Sequence, residues 1–289
     1  MNQGKRMTTD SKALSTQTIL LTGAAGKVAK RLRAPLARLC RNLVLTDINP
    51  VEGLAANEHF IQCDLTDAGA VNELVKGVDK IVHFAGYPRE AAWSTLLPAN
   101  ILAVTNLWEA ALACGVRRIV YASTNHVVGF YPTGRRIGVD AEFKCDSRYG
   151  VTKAFTEITA RFYFEKYGIE ALGLRIGRCE DTPTDERMMS TWIHPDDLAQ
   201  LVTLGLLGAV RADVLYGISD NSRASCSNPK LPGLHYQPRH KADDYPLAAS
   251  AQGSATNAWV FQGGPFAATD YVGDTDRAAN FYLRDPDSP

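Results

Sequence analysis

The chain has 289 residues, 45% of them hydrophobic and 21% charged, enough for a large buried core and too apolar for an intrinsically disordered protein. Its 31 Lys and Arg balance 31 Asp and Glu, so it lacks the basic excess on which nucleic-acid or membrane-surface binding draws. No run approaches the ~18 consecutive apolar residues of a bilayer span, and six scattered cysteines without a Cys-x-x-Cys pair suit neither a metal centre nor a disulfide scaffold.

Residues 1–17 are polar, carry no apolar run for a secretory signal, and are expected to form a disordered tail on a cytoplasmic protein. Strand-length apolar runs then alternate with helix-length segments. Ile19-Leu20-Leu21, Leu43-Val44-Leu45 and Phe60-Ile61-Gln62 come first, followed by Ile81-Val82-His83-Phe84, Ile119-Val120-Tyr121 and Ala171-Leu172-Gly173-Leu174. Continuous runs of this kind suit strands covered on both faces. Helices are expected over 101–114 and 152–167, closed by Gly115 and Gly168, because glycine accepts the left-handed conformation that ends a helix. The alternation predicts an α/β fold, a Rossmann-type doubly wound parallel sheet over residues 18–178. Beyond 178 the periodicity weakens, and 219–246 is rich in Ser, Asn, Pro and charge, so 179–289 is expected to form a small C-terminal substrate cap sharing the sheet's ligand crevice.

Thr22-Gly23-Ala24-Ala25-Gly26-Lys27-Val28-Ala29 follows the first strand and opens a helix. Gly23 and Gly26 permit a tight turn and close approach of a pyrophosphate to the helix N-terminus. Asp47-Ile48 ends the next strand, about the ~20 residues downstream expected of the acid that binds an adenosine ribose. A carboxylate there repels a 2′-phosphate and favours NAD over NADP, whereas Lys27 and Arg31 point the other way. Asp64-Leu65 and Phe84-Ala85-Gly86 fall at further strand ends, where open parallel sheets bind ligands. Tyr149 and Lys153 share one helix face at i, i+4. A fixed positive charge near a phenol of pKa ~10 favours the phenolate, so Tyr149 is a candidate base and Lys153 its activator. Ser123, Thr124, Asn125 and His126 begin at the end of the fifth strand. Thr124 is placed to bond the reacting oxygen, Ser123 to brace the nicotinamide, and Asn125 and His126 to read sugar hydroxyls.

Glycine turn, Ser-Thr cluster and Tyr-x-x-x-Lys together resemble the extended short-chain dehydrogenase/reductase superfamily, also called the NAD-dependent epimerase/dehydratase family, over Ile19 to Tyr271. Ala122-Ser123-Thr124-Asn125-His126, Tyr149-Gly150-Val151-Thr152-Lys153, Arg175-Ile176-Gly177, Arg187-Met188-Met189-Ser190-Thr191-Trp192 and Phe261-Gln262-Gly263-Gly264-Pro265-Phe266 resemble the bacterial uronate dehydrogenases. That resemblance implies oxidation of the C1 hydroxyl of cyclic galacturonate or glucuronate to an aldarolactone. It places Ile176 and Arg178 beside the NAD, Arg187 on the sugar carboxylate and Pro88 in the substrate site. Pro88 replaces a serine of the family, Arg178 a small hydroxyl residue, and Ser225-Cys226 an aromatic pair. Another aldose or a sugar phosphate, a nucleotide-sugar epimerase or dehydratase, and a non-catalytic NAD(H) sensor remain alternatives. The aromatic-rich helices over 101–114 and 152–167 resemble the superfamily's dimer surface, which implies a homo-oligomer.

Overall fold

The computed structural model describes residues 14–245, 247 and 260–273. Strand β1 (Thr18–Thr22) leads through α1 (Lys27–Ala37) to β2 (Asn42–Asp47), and β3 (Glu58–Gln62), α2 (Ala68–Val75) and β4 (Lys80–His83) follow. A helical stretch made of α3 (Trp93–Leu96), a π turn (Leu97–Leu102) and α4 (Ala103–Ala113) leads to β5 (Arg118–Thr124). Next come α5 (Arg148–Tyr167), β6 (Glu170–Ile176), β7 (Arg178–Cys179), α6 (Met188–Thr191) and β8 (Trp192–Ile193). Then α7 (Pro195–Leu207) precedes β9 (Ala212–Gly217), and α8 (Pro265–Ala268) lies in the late segment. The seven-stranded sheet runs β3-β2-β1-β4-β5-β6-β9, parallel throughout, and β7 pairs with β8 separately.

The side-chain alternation of the strands builds two apolar layers. Ile19 and Leu21 of β1 face α1 and α7 with Leu32, Leu36, Leu198 and Leu201, while Leu20 joins α2, α4 and α5 with Val71, Leu107, Trp108 and Tyr163. This is the three-layer doubly wound arrangement expected, and all six expected strands are present. The seventh strand, β9, and α7 come from beyond residue 178, within the stretch assigned to the cap. Asp213 interrupts the apolar run of β9, and its first half is only half-buried at the sheet edge, so the strand carries little periodic signal.

Helix α5 begins at Arg148, four positions before the expected start, because the Ser147 side chain accepts the Gly150 N–H as its N-cap; it ends at Gly168 with φ +71°. Part of the tail expected over residues 1–17 is ordered in the described residues. Residues 1–13 lie outside the described residues, but Leu14 is completely buried in the core and the Gln17 N–H bonds the Leu14 carbonyl at 2.9 Å. One leucine in a polar stretch leaves no pattern to read. The stretch Trp93–Ala113 is long and apolar enough by length and composition to cross a membrane, with mean hydropathy 1.3. Here it is a core element: Leu96, Val104, Leu107 and Trp108 are buried, and Asn100 bonds Thr152 of α5 at 3.0 Å.

Candidate active site

The sheet reverses its winding between β1 and β4, and the glycine turn sits at the carboxyl end of β1 beside that switch point. Gly23 has φ +71°, and a Cβ there would lie 2.6 Å from the Ala85 nitrogen, so only glycine lets the turn pass under Phe84-Ala85. Thr22 locks the two loops together, its hydroxyl accepting the Phe84 and Ala85 N–H groups, both at 3.2 Å, and donating to His83 Nδ1 at 2.8 Å. Burial, reinforced by Lys153, drops the His83 imidazole to about 3, so it is a neutral packing residue.

Gly26 caps α1 without a side-chain hydrogen bond and no acid stands in the first turn, which leaves backbone N–H groups free for a phosphate. Asp47 holds the turn by accepting the Ala25 N–H at 3.1 Å and remains partly exposed at the end of β2. Lys27 bonds Glu180 at 2.5 Å and Arg31 pairs with Asp181, so both cations are already neutralised by acids rather than free for a 2′-phosphate. This donor set fits an adenine dinucleotide without that phosphate. Val28 is half-buried beside the turn, Ile48 is exposed after Asp47, and Asp64 is exposed with its carboxylate accepting from Thr66. Leu65 is buried, its carbonyl accepting from Asn106 at 2.9 Å, and Gly86 has φ +133° beside Lys153.

Tyr149 and Lys153 both lie in the first turns of α5, which Ser147 caps and whose Tyr149 N–H bonds Glu90 at 3.0 Å. The Thr124 hydroxyl lies close enough to the Tyr149 phenol to favour its anion, while the Lys153 ammonium donates to the Ala122 carbonyl at 3.0 Å. Burial pushes the phenol up to about 12, against the lowering pull of Thr124, and Asp146 raises it further. Burial also brings Lys153 down to about 8. The expectation that Lys153 lowers the phenol is therefore corrected for the protein alone. Its nitrogen lies 6.0 Å from the ring centroid and is held on a carbonyl, so burial dominates. Ser123, expected to brace the nicotinamide, instead donates to Glu157 at 2.5 Å, and Glu157 bonds Arg175 through both carboxylate oxygens. Strand alternation turns Ser123 toward this buried pair and Thr124 toward the phenol.

A cavity of about 420 Å³ is lined among others by Asn125, Glu186, Arg187, Arg223, Ser225 and Gln262. The Arg187 Nη2 donates to the Gln262 carbonyl at 3.2 Å, but its Nε is buried without a hydrogen-bond partner. Among the described residues no carboxylate lies within 4.0 Å of this guanidinium, and burial lowers its pKa. Its neighbours are compensated: Arg223 bonds Glu186 at 2.7 Å, and Arg178, mostly exposed, stands near Asp185 and Glu180. Ile176 is buried at the end of β6, and Pro88 is exposed. Ser225 donates to Gln262 Oε1 at 3.2 Å, and Cys226 is buried.

His126 is nine-tenths buried, with Nδ1 on Asp146 Oδ2 at 2.7 Å and its ring stacked on Phe266 at 4.0 Å. Asp146, Glu157, Asn100, Glu90 and Phe266 were not read from the sequence as site residues. Two of them carry a usable signal: Phe266 closes the late motif shared with the uronate dehydrogenases, and Asp146 is the acid just before the Ser147 cap of α5.

Among the described residues one trio, His194, Asp196 and His240, brings possible metal-ligand atoms within 4.8 Å of one another. The two imidazoles are stacked at 3.5 Å and 17°, so their in-plane lone pairs cannot converge on one ion. His194 instead caps α7, accepting the Asp196 N–H at 3.1 Å.

Residues 19–195 match the model of the NAD dependent epimerase/dehydratase family. The chain is 41% identical to a uronate dehydrogenase of Pseudomonas putida over 254 residues, 86% of this chain and 95% of the relative. It superposes on a glucuronic acid dehydrogenase from Chromohalobacter salexigens with a TM-score of 0.83 at 36% identity, covering 90% of this chain and 98% of the other. A mutant of uronate dehydrogenase from Agrobacterium tumefaciens, complexed with NAD, gives a TM-score of 0.81 at 37% identity, covering 88% and 98%.

Proposed function

The chain belongs to the NAD-dependent epimerase/dehydratase family, and on that footing we propose that it oxidises the C1 hydroxyl of a cyclic uronic acid, galacturonate or glucuronate, to an aldarolactone. The observation that carries the substrate is Arg187: a buried guanidinium lining the cavity, with an orphaned Nε and, among the described residues, no carboxylate within 4.0 Å. A buried cation without an anion in contact is costly, and the planar fork of arginine pairs both oxygens of a carboxylate. A uronate supplies that carboxylate. The named activities of the relatives in Pseudomonas putida and Chromohalobacter salexigens support the same substrate class.

NAD⁺, when bound, supplies the acceptor for the hydride leaving C1. Gly23, Gly26 and the open first turn of α1 hold its pyrophosphate, and Asp47 holds the ribose. Tyr149 takes the proton of the C1 hydroxyl as the C1–O bond becomes the lactone carbonyl. Thr124, beside the phenol, stabilises its anion and the same oxygen. Lys153 keeps a positive charge beneath the site, Arg187 grips the carboxylate, and Asn125 and His126 read the remaining hydroxyls. Pro88 leaves a substrate edge without a hydrogen bond. The six cysteines are free thiols, which suits a cytoplasmic setting, and the exposed apolar faces of α3, the π turn and α5 suit a homo-oligomer.

NADH formation with galacturonate or glucuronate, and recovery of the aldarolactone, test the activity. Losing a charge-assisted pair of ~1.5–3 kcal/mol, Arg187→Ala should raise KM for uronates by roughly 10–150-fold and barely change it for the neutral aldose. An equal loss on both sugars removes Arg187 as the carboxylate anchor.

A further inference from the structure

We propose that Asp146 is a positioning residue that holds the His126 imidazole with its proton on Nδ1, so that Nε2 offers a lone pair to one hydroxyl of the bound sugar. The proposal rests on the sugar-acid reading of the site. A carboxylate accepts hydrogen bonds, and Asp146 Oδ2 stands 2.7 Å from Nδ1, so the proposal places the ring proton on that nitrogen. In the neutral ring the other nitrogen is then an acceptor.

The surroundings leave Asp146 little freedom. Its side chain is fully buried, and its other oxygen accepts the Ser147 hydroxyl at 2.7 Å. A Cβ on either Gly129 or Gly263 would lie 1.8 Å from Oδ2, so two glycines press on the carboxylate, themselves joined by a Gly263 N–H to Gly129 carbonyl bond of 2.8 Å. The Asp146 N–H donates to the His126 carbonyl at 3.2 Å, tying the two residues by backbone as well. The imidazole is clamped in its turn, stacked on Phe266 and edge-on to Tyr149 at 6.1 Å. The described hydrogen bonds of the ring involve Nδ1 alone, and Nε2 lies on the opposite side of the ring from Asp146. One segment, 262–266, therefore shapes both ends of the substrate site. Gly263 confines Asp146, Phe266 packs on His126, and the Gln262 carbonyl holds Arg187.

Nitrogen-15 NMR of the histidine-labelled, substrate-free protein reads the tautomer, with His126→Gln assigning the signal. The expected result is a protonated Nδ1 and a bare Nε2, shifting toward Nε2–H in Asp146→Asn, whose amide fits the same space. Asp146→Asn should raise KM for the uronate about tenfold or more, with the NADH dissociation constant nearly unchanged. In the His126→Gln background the same change should add no more than about twofold, because the two residues act as one unit. A wild-type ring protonated on Nε2 or on both nitrogens overturns the proposal, as does an equal Asp146→Asn effect in both backgrounds. The tautomer of the wild-type chain decides even where the variant folds poorly. Absence of uronate turnover would sink the proposed activity separately, since the NMR reading uses no substrate.

Discussion

At the scale of single residues, the proposed reaction turns on a phenol that is reluctant to ionise. Burial places Tyr149 at about 12, and the Thr124 hydroxyl is the protein contact that lowers it. The base form is the phenolate, so a raised pKa means that the reactive fraction grows as pH rises. Removing the Thr124 hydroxyl removes a lowering influence and raises the pKa further. Thr124→Ala should therefore move the acid limb of the oxidation rate to higher pH, and Thr124→Ser should leave it in place. The measurement is kcat against pH at saturating NAD⁺ and sugar; an unmoved limb in the alanine variant would show that Thr124 does not act on the phenol. One pKa unit corresponds to ~1.4 kcal/mol, within reach of one good hydrogen bond to a charged group.

At the scale of elements, α5 is the platform on which the site stands, and a buried polar network fixes it to the sheet. Glu157 of α5 joins Ser123 of β5 and Arg175 of β6, and Arg175 reaches Tyr216 of β9 at 3.3 Å. Both members of the Glu157–Arg175 pair are nearly inaccessible, with side-chain exposures of 4% and 3%. Breaking such a pair leaves an uncompensated buried charge, at a cost of ~3–5 kcal/mol. Glu157→Ala should lower the denaturant midpoint accordingly, while Glu157→Leu combined with Arg175→Met should lose much less. If the single alanine variant is as stable as the parent, the network does not anchor the helix.

At the scale of the whole molecule, the apolar surface is uneven. Trp93, Leu97 and Leu102 expose 42–48% of their surface along one helical stretch, and Val151, Ile158 and Phe162 expose 46–57% along α5. These two elements also contact each other through the π turn, so their outer faces can form one patch. Contiguous exposed apolar surface of this kind marks an interaction face. Light scattering should give twice the chain mass, and Ile158→Glu with Phe162→Glu should give the single-chain mass with the fold retained. A parent protein that runs as one chain at micromolar concentration rules out this face as a stable dimer interface.

The local part of this protein is written in short-range pattern. Apolar runs placed six strands, glycine placed the dinucleotide turn and the end of α5, and the Tyr149–Lys153 spacing set two groups on one helix face. Each of those depends on neighbours within a few residues, where backbone geometry and side-chain periodicity act directly. Three features emerged only from packing. Ser123 turned away from the crevice because Glu157 and Arg175 meet behind it. Asp146 found its histidine because the backbone brings residue 146 onto the His126 carbonyl and two glycines leave room for its carboxylate. Tyr149 acquired its high pKa because the fold removes it from water. Solvent exclusion and long-range approach depend on where distant segments come to rest, and no local spacing in the chain encodes that.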